Sequence, residues 1–305
     1  MAITINGTTS VVGLKSDTNN VGLGSTTLDS ITTGDYNVGL GDNALTANTT
    51  GADNTAVGYN ALAANTTGAR NIAIGNNAND LADTEDDNIA IGYNVMTAQI
   101  AGASQNIAVG SYSLDALTSG DGNVAVGHNA LTANTTGELN VSVGYQSLEA
   151  NTTAANCTAV GAKALKANTT GTGNVAVGKS AMLVNTTGNY NVAIGEGALD
   201  ANTSAADNTA VGSFNSGANT TGSQNTSVGY AAFSSNTTGS SNVSVGRSAL
   251  RLNTTADNNT AVGDIALENN STGHSNTAVG ESALTANTTA INGTAVGISA
   301  LAANT

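Results

Sequence analysis

The chain has 305 residues and a net charge of −14, with only seven Lys and Arg. That balance offers no electrostatic footprint for nucleic acid and would be repelled by an anionic membrane. So much Gly, Asn, Thr and Ala, with no Pro, no Trp and 9% charged residues, often means disorder, but 39% of the chain is hydrophobic and strictly placed, which excludes it.

The chain opens on "MAITINGTTS", which has neither a basic region nor a long apolar stretch. It is therefore not a secretory signal, and synthesis in the cytoplasm is expected. No later stretch has the apolar length of a membrane span, so no membrane insertion is expected. "ITING" places Gly7 one repeat, 17 residues, ahead of Gly24. Residues 1–16 are thus expected to form a partial rung, a cap or an attachment segment, and residues 17–305 a repeat solenoid.

From Gly24 onward one phrase returns down the chain, as "NTAVGYNALAANTTG" at 54–68 and "NVAVGHNALTANTTG" at 123–137. Its closing Gly falls at Gly24, Gly41, Gly58, Gly75 and Gly92, slips by one residue to Gly110, then keeps a spacing of 17 through Gly297, which makes 17 rungs. The residue before this Gly is always Val, Ile or Leu, the one two before is always Ala, Ser or Gly, and the one three before is always β-branched. Alternation of this kind closed by Gly reads as a short β-strand. The unvarying aliphatic slot is assigned to the core. The always-small slot then faces the other way, against the opposite wall of the same coil or a second chain. Gly itself implies positive φ or a close backbone approach.

Four residues after the Gly comes a large apolar residue, as in Leu45, Leu62 and Leu131, broken only by Asn79 and Ser216. With its Ala neighbours it suggests one helical turn or a bent segment, followed by the turn signature "NTTG". Asn recurs four before and seven after the Gly, and stacked Asn side chains can hydrogen-bond as ladders. The fold class expected is all-β: a parallel β-solenoid or β-roll of 17-residue coils, ~4.8 Å per rung and roughly 80 Å long. So thin a coil buries little per rung, which favours packing on another chain.

The single slip follows an acidic run, "DLADTEDD", holding Asp80, Asp83, Glu85, Asp86 and Asp87. A hard cation is one reading of those carboxylates. A solvated bulge is the favoured one, and no metal or cofactor is assigned. His128 and His274 lie in distant rungs and cannot share a ligand. No Ser/His/Asp constellation can be assembled, so no catalytic residue is named and no enzyme is expected. Tyr59, Tyr93, Tyr145 and Tyr230 each follow the key Gly, and Tyr112 lies one further on. Facing outward, these four rings and their neighbour would stack on sugars; otherwise they cover the coil edge. Paired Thr residues such as Thr49 and Thr50 recur once per rung, as an ice-binding face would need. Cys157 is alone and can make no disulfide within the chain. The sequence stops at "ALAANT", within a repeat, which is compatible with head-to-tail stacking.

The phrases "NVAVG", "NIAIG" and "NTAVG" resemble the head repeats of trimeric autotransporter adhesins of the YadA type, and the likeness runs from about Val21 onward. The resemblance implies a left-handed parallel β-roll, three chains around a common axis, and a surface that binds host matrix or cells. The 17-residue period is longer than that family's own, and no coiled-coil stalk or membrane anchor is expected. "MAITING" is similar to the start of tail-fibre and other virion proteins of bacteriophages, especially those of marine cyanobacteria. The expected function is a structural or adhesive fibre at a virion or extracellular surface, a homo-oligomer and in all expectation a trimer, with a cell-surface glycan or protein receptor as partner. A self-assembling extracellular filament and an ice-binding solenoid are the alternatives.

Overall fold

The computed structural model describes residues 12–15, 19–98 and 102–303. The chain divides into two compact units, one ending at Val143 and one beginning at Gly144. The first carries β1 (Val12–Lys15), β2 (Asn20–Leu23) and three-residue strands from β3 (Val38–Leu40) to β9 (Val141–Val143). The second carries nine such strands, from β10 (Thr158–Val160) to β18 (Thr294–Val296). Within each unit the repeat strands pair in parallel with like residues opposite like, as in Thr55↔Ile72, Ala56↔Ala73 and Val57↔Ile74, or Val175↔Val192, Ala176↔Ala193 and Val177↔Ile194. Register survives the slip, since Ile89, Ala90 and Ile91 face Ile107, Ala108 and Val109. Each unit is a β-solenoid of 17-residue coils, as the sequence predicts.

The described part of the first sixteen residues behaves differently. Strand β1 pairs antiparallel with β2, Val12 opposite Leu23 and Lys15 opposite Asn20. Gly7 lies outside the described residues.

The two faces of the strand are the reverse of expectation. The small middle slot is the core: Ala56, Ala73, Ala125, Ala176 and Ala210 are fully buried. The aliphatic slot faces outward, with Ile74 38%, Val126 37%, Val177 36% and Ile194 40% exposed. The coil is so thin that its own Leu column fills the interior directly beneath the strand. Leu45, Leu62, Leu131, Leu165 and Leu199 are at 0% exposure beside Ala44, Ala61, Ala130, Ala164 and Ala198. Only Ala, Ser or Gly leaves room for those Leu side chains. Leu301, in the last coil described, is 53% exposed, whereas Leu284 one coil earlier is 1% exposed. That difference is what one overlying coil supplies.

The Ala-Leu segment is not a helical turn. Residues two and four after the Gly adopt positive φ, as in Asn60 at 56° and Leu62 at 50°, or Asn129 at 56° and Leu131 at 53°. A left-handed Leu costs about 1–2 kcal/mol. The stack offsets this, because alternating backbone directions let the segment bond to both neighbours. Asn60 N–H donates to Asp42 O behind at 3.1 Å, and Leu62 N–H to Ala78 O ahead at 3.1 Å. Gly58 has φ 137°, and a Cβ there would collide with the carbonyl oxygen of Gly75. Positive φ and close approach both apply at this corner.

Two buried Asn columns close the coils. In the first, Asn37 Nδ2 donates to Gly51 O at the far end of its own coil (2.9 Å), while Asn37 Oδ1 accepts the N–H of Asn54 in the next (3.0 Å). In the second, Asn185 Nδ2 donates to Gly188 O within the turn (3.1 Å) and to Asn168 Oδ1 one coil back (2.8 Å). Cys157 stands in the first column, and its thiol takes over coil closure by reaching Gly171 O at 3.2 Å. Burial pushes this thiol above its ordinary pKa, which keeps it protonated and unreactive.

Candidate functional site

The coil presents three surfaces on which chemistry is available: the outer strand face, the Gly corner and the acidic stretch. The outer strand face comes directly from the aliphatic slot. In parallel register, one Val, Ile or Leu per coil lines up with a Thr, Val or Ile two residues earlier on the same face. Among the described repeat strands this face carries no charged side chain. It is a regular, largely aliphatic stripe exposed to solvent.

The Gly corner carries the tyrosines singled out from sequence. Tyr59 is 50% exposed, Tyr93 47%, Tyr145 51% and Tyr230 59%. They do not form one cluster. In the first unit Tyr93 meets Tyr112 edge-on, with centroids 5.6 Å apart at 84°. Tyr112 in turn meets His128 at 5.8 Å and 72°. Tyr59 sits two coils before Tyr93 in the same slot, with Asn76 between them. In the second unit Tyr230 packs edge-on against Phe214 at 6.3 Å and 88°. Sequence reasoning missed Phe214, which stands one slot beyond the tyrosines where many coils carry Asn or Ser, and set His128 aside as a lone histidine although it occupies the slot of Tyr59 and Tyr93.

An amide ladder runs along the next slot of the first unit. Asn43 Nδ2 donates to Asn60 Oδ1 (2.9 Å), Asn60 to Asn77 (3.2 Å) and Asn77 to Asn94 (3.0 Å). Asn94 Nδ2 has no acceptor among the described residues. The next residue in that slot is Tyr112. The ladder was legible in principle, since Asn43, Asn60, Asn77 and Asn94 keep the 17-residue spacing.

Most of the acidic stretch is solvated, with Asp83 exposed and Asp86 and Asp87 half-exposed, but Glu85 turns inward. Glu85 is 2% exposed. Its carboxylate accepts from the backbone N–H of Asp83 (2.7 Å), Thr84 (2.9 Å) and Gly102 (2.9 Å). The reason lies three residues earlier, where Ala82 replaces the turn Asn and the Glu side chain reaches inward to hold the turn instead. Asp86 and Asp87 bind Arg70 one coil away, at 3.3 and 2.6 Å. The guanidinium bond holds the Asp87 carboxyl below its ordinary range. Asp83 accepts from Thr66 Oγ1. Burial raises Asp80, with repulsion from Asp115 adding to it. Four of these five carboxylates are engaged by protein donors. Among the described residues no group of three or more His, Cys, Asp and Glu is arranged to hold a metal.

Five basic residues pair with an acid one coil away: Arg70, Lys166 with Glu149, Lys179 with Glu196, Arg247 with Asp264 and Arg251 with Glu268. His274 Nδ1 lies 3.4 Å from Ser275 Oγ. In most coils the first of the paired hydroxyl residues is bound into the stack, as Thr49 Oγ1 donates to Thr66 O at 3.0 Å. Among the described residues no helix is long and apolar enough to cross a membrane.

Fold and surface together define a β-solenoid repeat protein with an outward aliphatic stripe. No protein-family model matches the chain, and neither a curated protein nor a solved structure matches it.

Proposed function

We propose that this chain is a structural fibre protein of an extracellular or virion surface, that it self-associates through the outer faces of its strands, and that it serves attachment rather than catalysis. The observation that carries the reading is the aliphatic stripe. A solvent-facing column repeated through every coil would be free to hold Lys, Glu or Thr, yet the slot before each Gly is always Val, Ile or Leu. These side chains stay more than a third exposed in the single chain at Val143, Val160, Ile194 and Val228. A continuous apolar surface of this kind marks an interaction site, and the symmetric occupant is the same stripe on another copy. The resemblance to the YadA-type head repeats favours three chains around one axis and a phage tail-fibre or adhesin-like role. The stripe is also compatible with lateral growth of a filament.

Sedimentation of the full chain tests this. The expected mass is a small multiple of 29.7 kDa, three being the favoured value. Replacing Val177, Ile194 and Val211 by Glu places charge on the outward face without touching the core, and should return the protein to single chains with its circular dichroism unchanged. Wild-type protein that sediments as one chain at tens of micromolar would overturn the reading.

A further inference from the structure

The rings of Tyr93, Tyr112 and His128 and the open amide of Asn94 lie together on the first unit, and nothing in the fold requires them there. Other coils place Asp42, Asn76 or Ser111 in the first of these slots and Thr26 or Asn43 in the second, and close in the same way. The hydrogen bonds of the Asn43–Asn60–Asn77–Asn94 ladder all run in one direction, so each amide polarises the next. The terminal donor, Asn94 Nδ2, is left pointing along a chain of three aligned bonds. It sits beside Tyr93 in sequence and one coil before Tyr112 in the same slot. Tyr112 is half-buried and braces its two neighbours edge-on, while Tyr93 and His128 keep their outer surfaces in solvent. A braced ring loses little rotamer freedom when a ligand stacks on it. Rings beside amide donors suit a molecule with apolar C–H faces and hydroxyl edges, which is a pyranose.

The spacing narrows the class. Tyr59 and Tyr93 occupy the same slot two coils apart, ~10 Å along the stack. That is about the span of one disaccharide in an extended β-1,4-linked glycan, in which alternate rings present the same face. The net charge of −14 disfavours an anionic polymer.

We propose that the Tyr59–Tyr93–Tyr112–His128 edge, with Asn94 as hydrogen-bond donor, binds an extended, uncharged β-1,4-linked glycan lying along the coil axis. This rests on the attachment reading and specifies its ligand class. The full chain is titrated with cellohexaose, chitohexaose and maltohexaose, following tyrosine emission, which no Trp obscures. At least one of the two extended hexaoses should bind in about the millimolar range or tighter. Tyr93→Ala and Asn94→Ala should each weaken binding, the first by about tenfold. Tyr93→Phe should retain it, as should Tyr230→Ala in the other unit. No binding of either extended hexaose up to about 10 mM, equal binding of the helical maltohexaose, or undiminished binding by Tyr93→Ala would each overturn the proposal. Sedimentation of the same samples reads self-association separately, so loss of the glycan site and loss of the fibre reading are distinguishable.

Discussion

Two coils place a polar residue where every other described coil carries a large apolar one, and they handle it differently. In the second unit the residue is Ser216. Its Oγ lies 3.0 Å from Asn215 Oδ1 and 2.8 Å from Ser227 Oγ, and Ser227 also donates to Asn215 Oδ1. Asn215 Nδ2 finishes the circuit on Val211 O at 3.2 Å and Gly229 O at 2.9 Å. Every polar atom of this network has a partner, although Asn202 Oδ1, one coil back, has none among the described residues. In the first unit the residue is Asn79, fully buried, with neither Oδ1 nor Nδ2 partnered among the described residues. The same coil replaces its turn Asn by Ala82, and Asn65 Oδ1 lacks a donor, as Asn202 Oδ1 does beside the Ser216 coil. Buried polarity is harmless to a thin coil when the network closes, and costly when one member is missing.

The comparison can be broken at its strongest point first. The Glu85 carboxylate ties the irregular turn together through three backbone donors. Glu85→Ala leaves those partly buried donors without their acceptor and is expected to cost about 2 kcal/mol. Native-state hydrogen exchange should show protection lost around residues 83–102 and retained in the second unit. Next comes a pair of substitutions toward the common residue, with opposite signs. Asn79→Leu removes two unpartnered atoms and buries an apolar side chain, a gain of about 3 kcal/mol. Ser216→Leu breaks a closed network and crowds Ser227, a loss of about 2 kcal/mol. Matching signs in thermal unfolding would show that network closure does not decide the cost.

The smallest effect concerns Asp80, next to Asn79. Burial raises its folded-state pKa, so its stabilising contribution is complete below the unfolded value of ~3.9 and is lost as pH rises through the folded value. Protection of the Ala64 amide, which donates to Asp80 O at 3.0 Å, should therefore increase as pH falls from neutral toward ~4. In Asp80→Asn that dependence should disappear. Asp200 in the second unit is raised for the same reason, which makes the local amide the informative probe.

Strand position and register were readable in the sequence, because a slot pattern as strict as Thr55–Ala56–Val57–Gly58 leaves one alignment. Inside and outside were not. An unvarying Val or Ile signals constraint, and constraint was equated with burial. The better signal was the small slot, since Ala56 and its equivalents can be small for no cause but the Leu column beneath them. The left-handed Leu62 was unreadable for a different reason: nothing local favours that φ, and only hydrogen bonds to the coils on either side sustain it. Glu85 was misjudged because its turn depends on the absent amide at Ala82, three residues away. The tyrosines were found, but their grouping was not, because Tyr112 and His128 join neighbouring slots that a one-slot reading keeps apart.

The column formed by Asn37, Asn54 and Asn71 has a direction. Each finished coil leaves a side-chain oxygen waiting for the amide hydrogen of a residue not yet placed. A chain emerging from the ribosome meets these acceptors in order, so assembly can advance from the N-terminal side in step with translation, each turn serving as the template on which the following one settles.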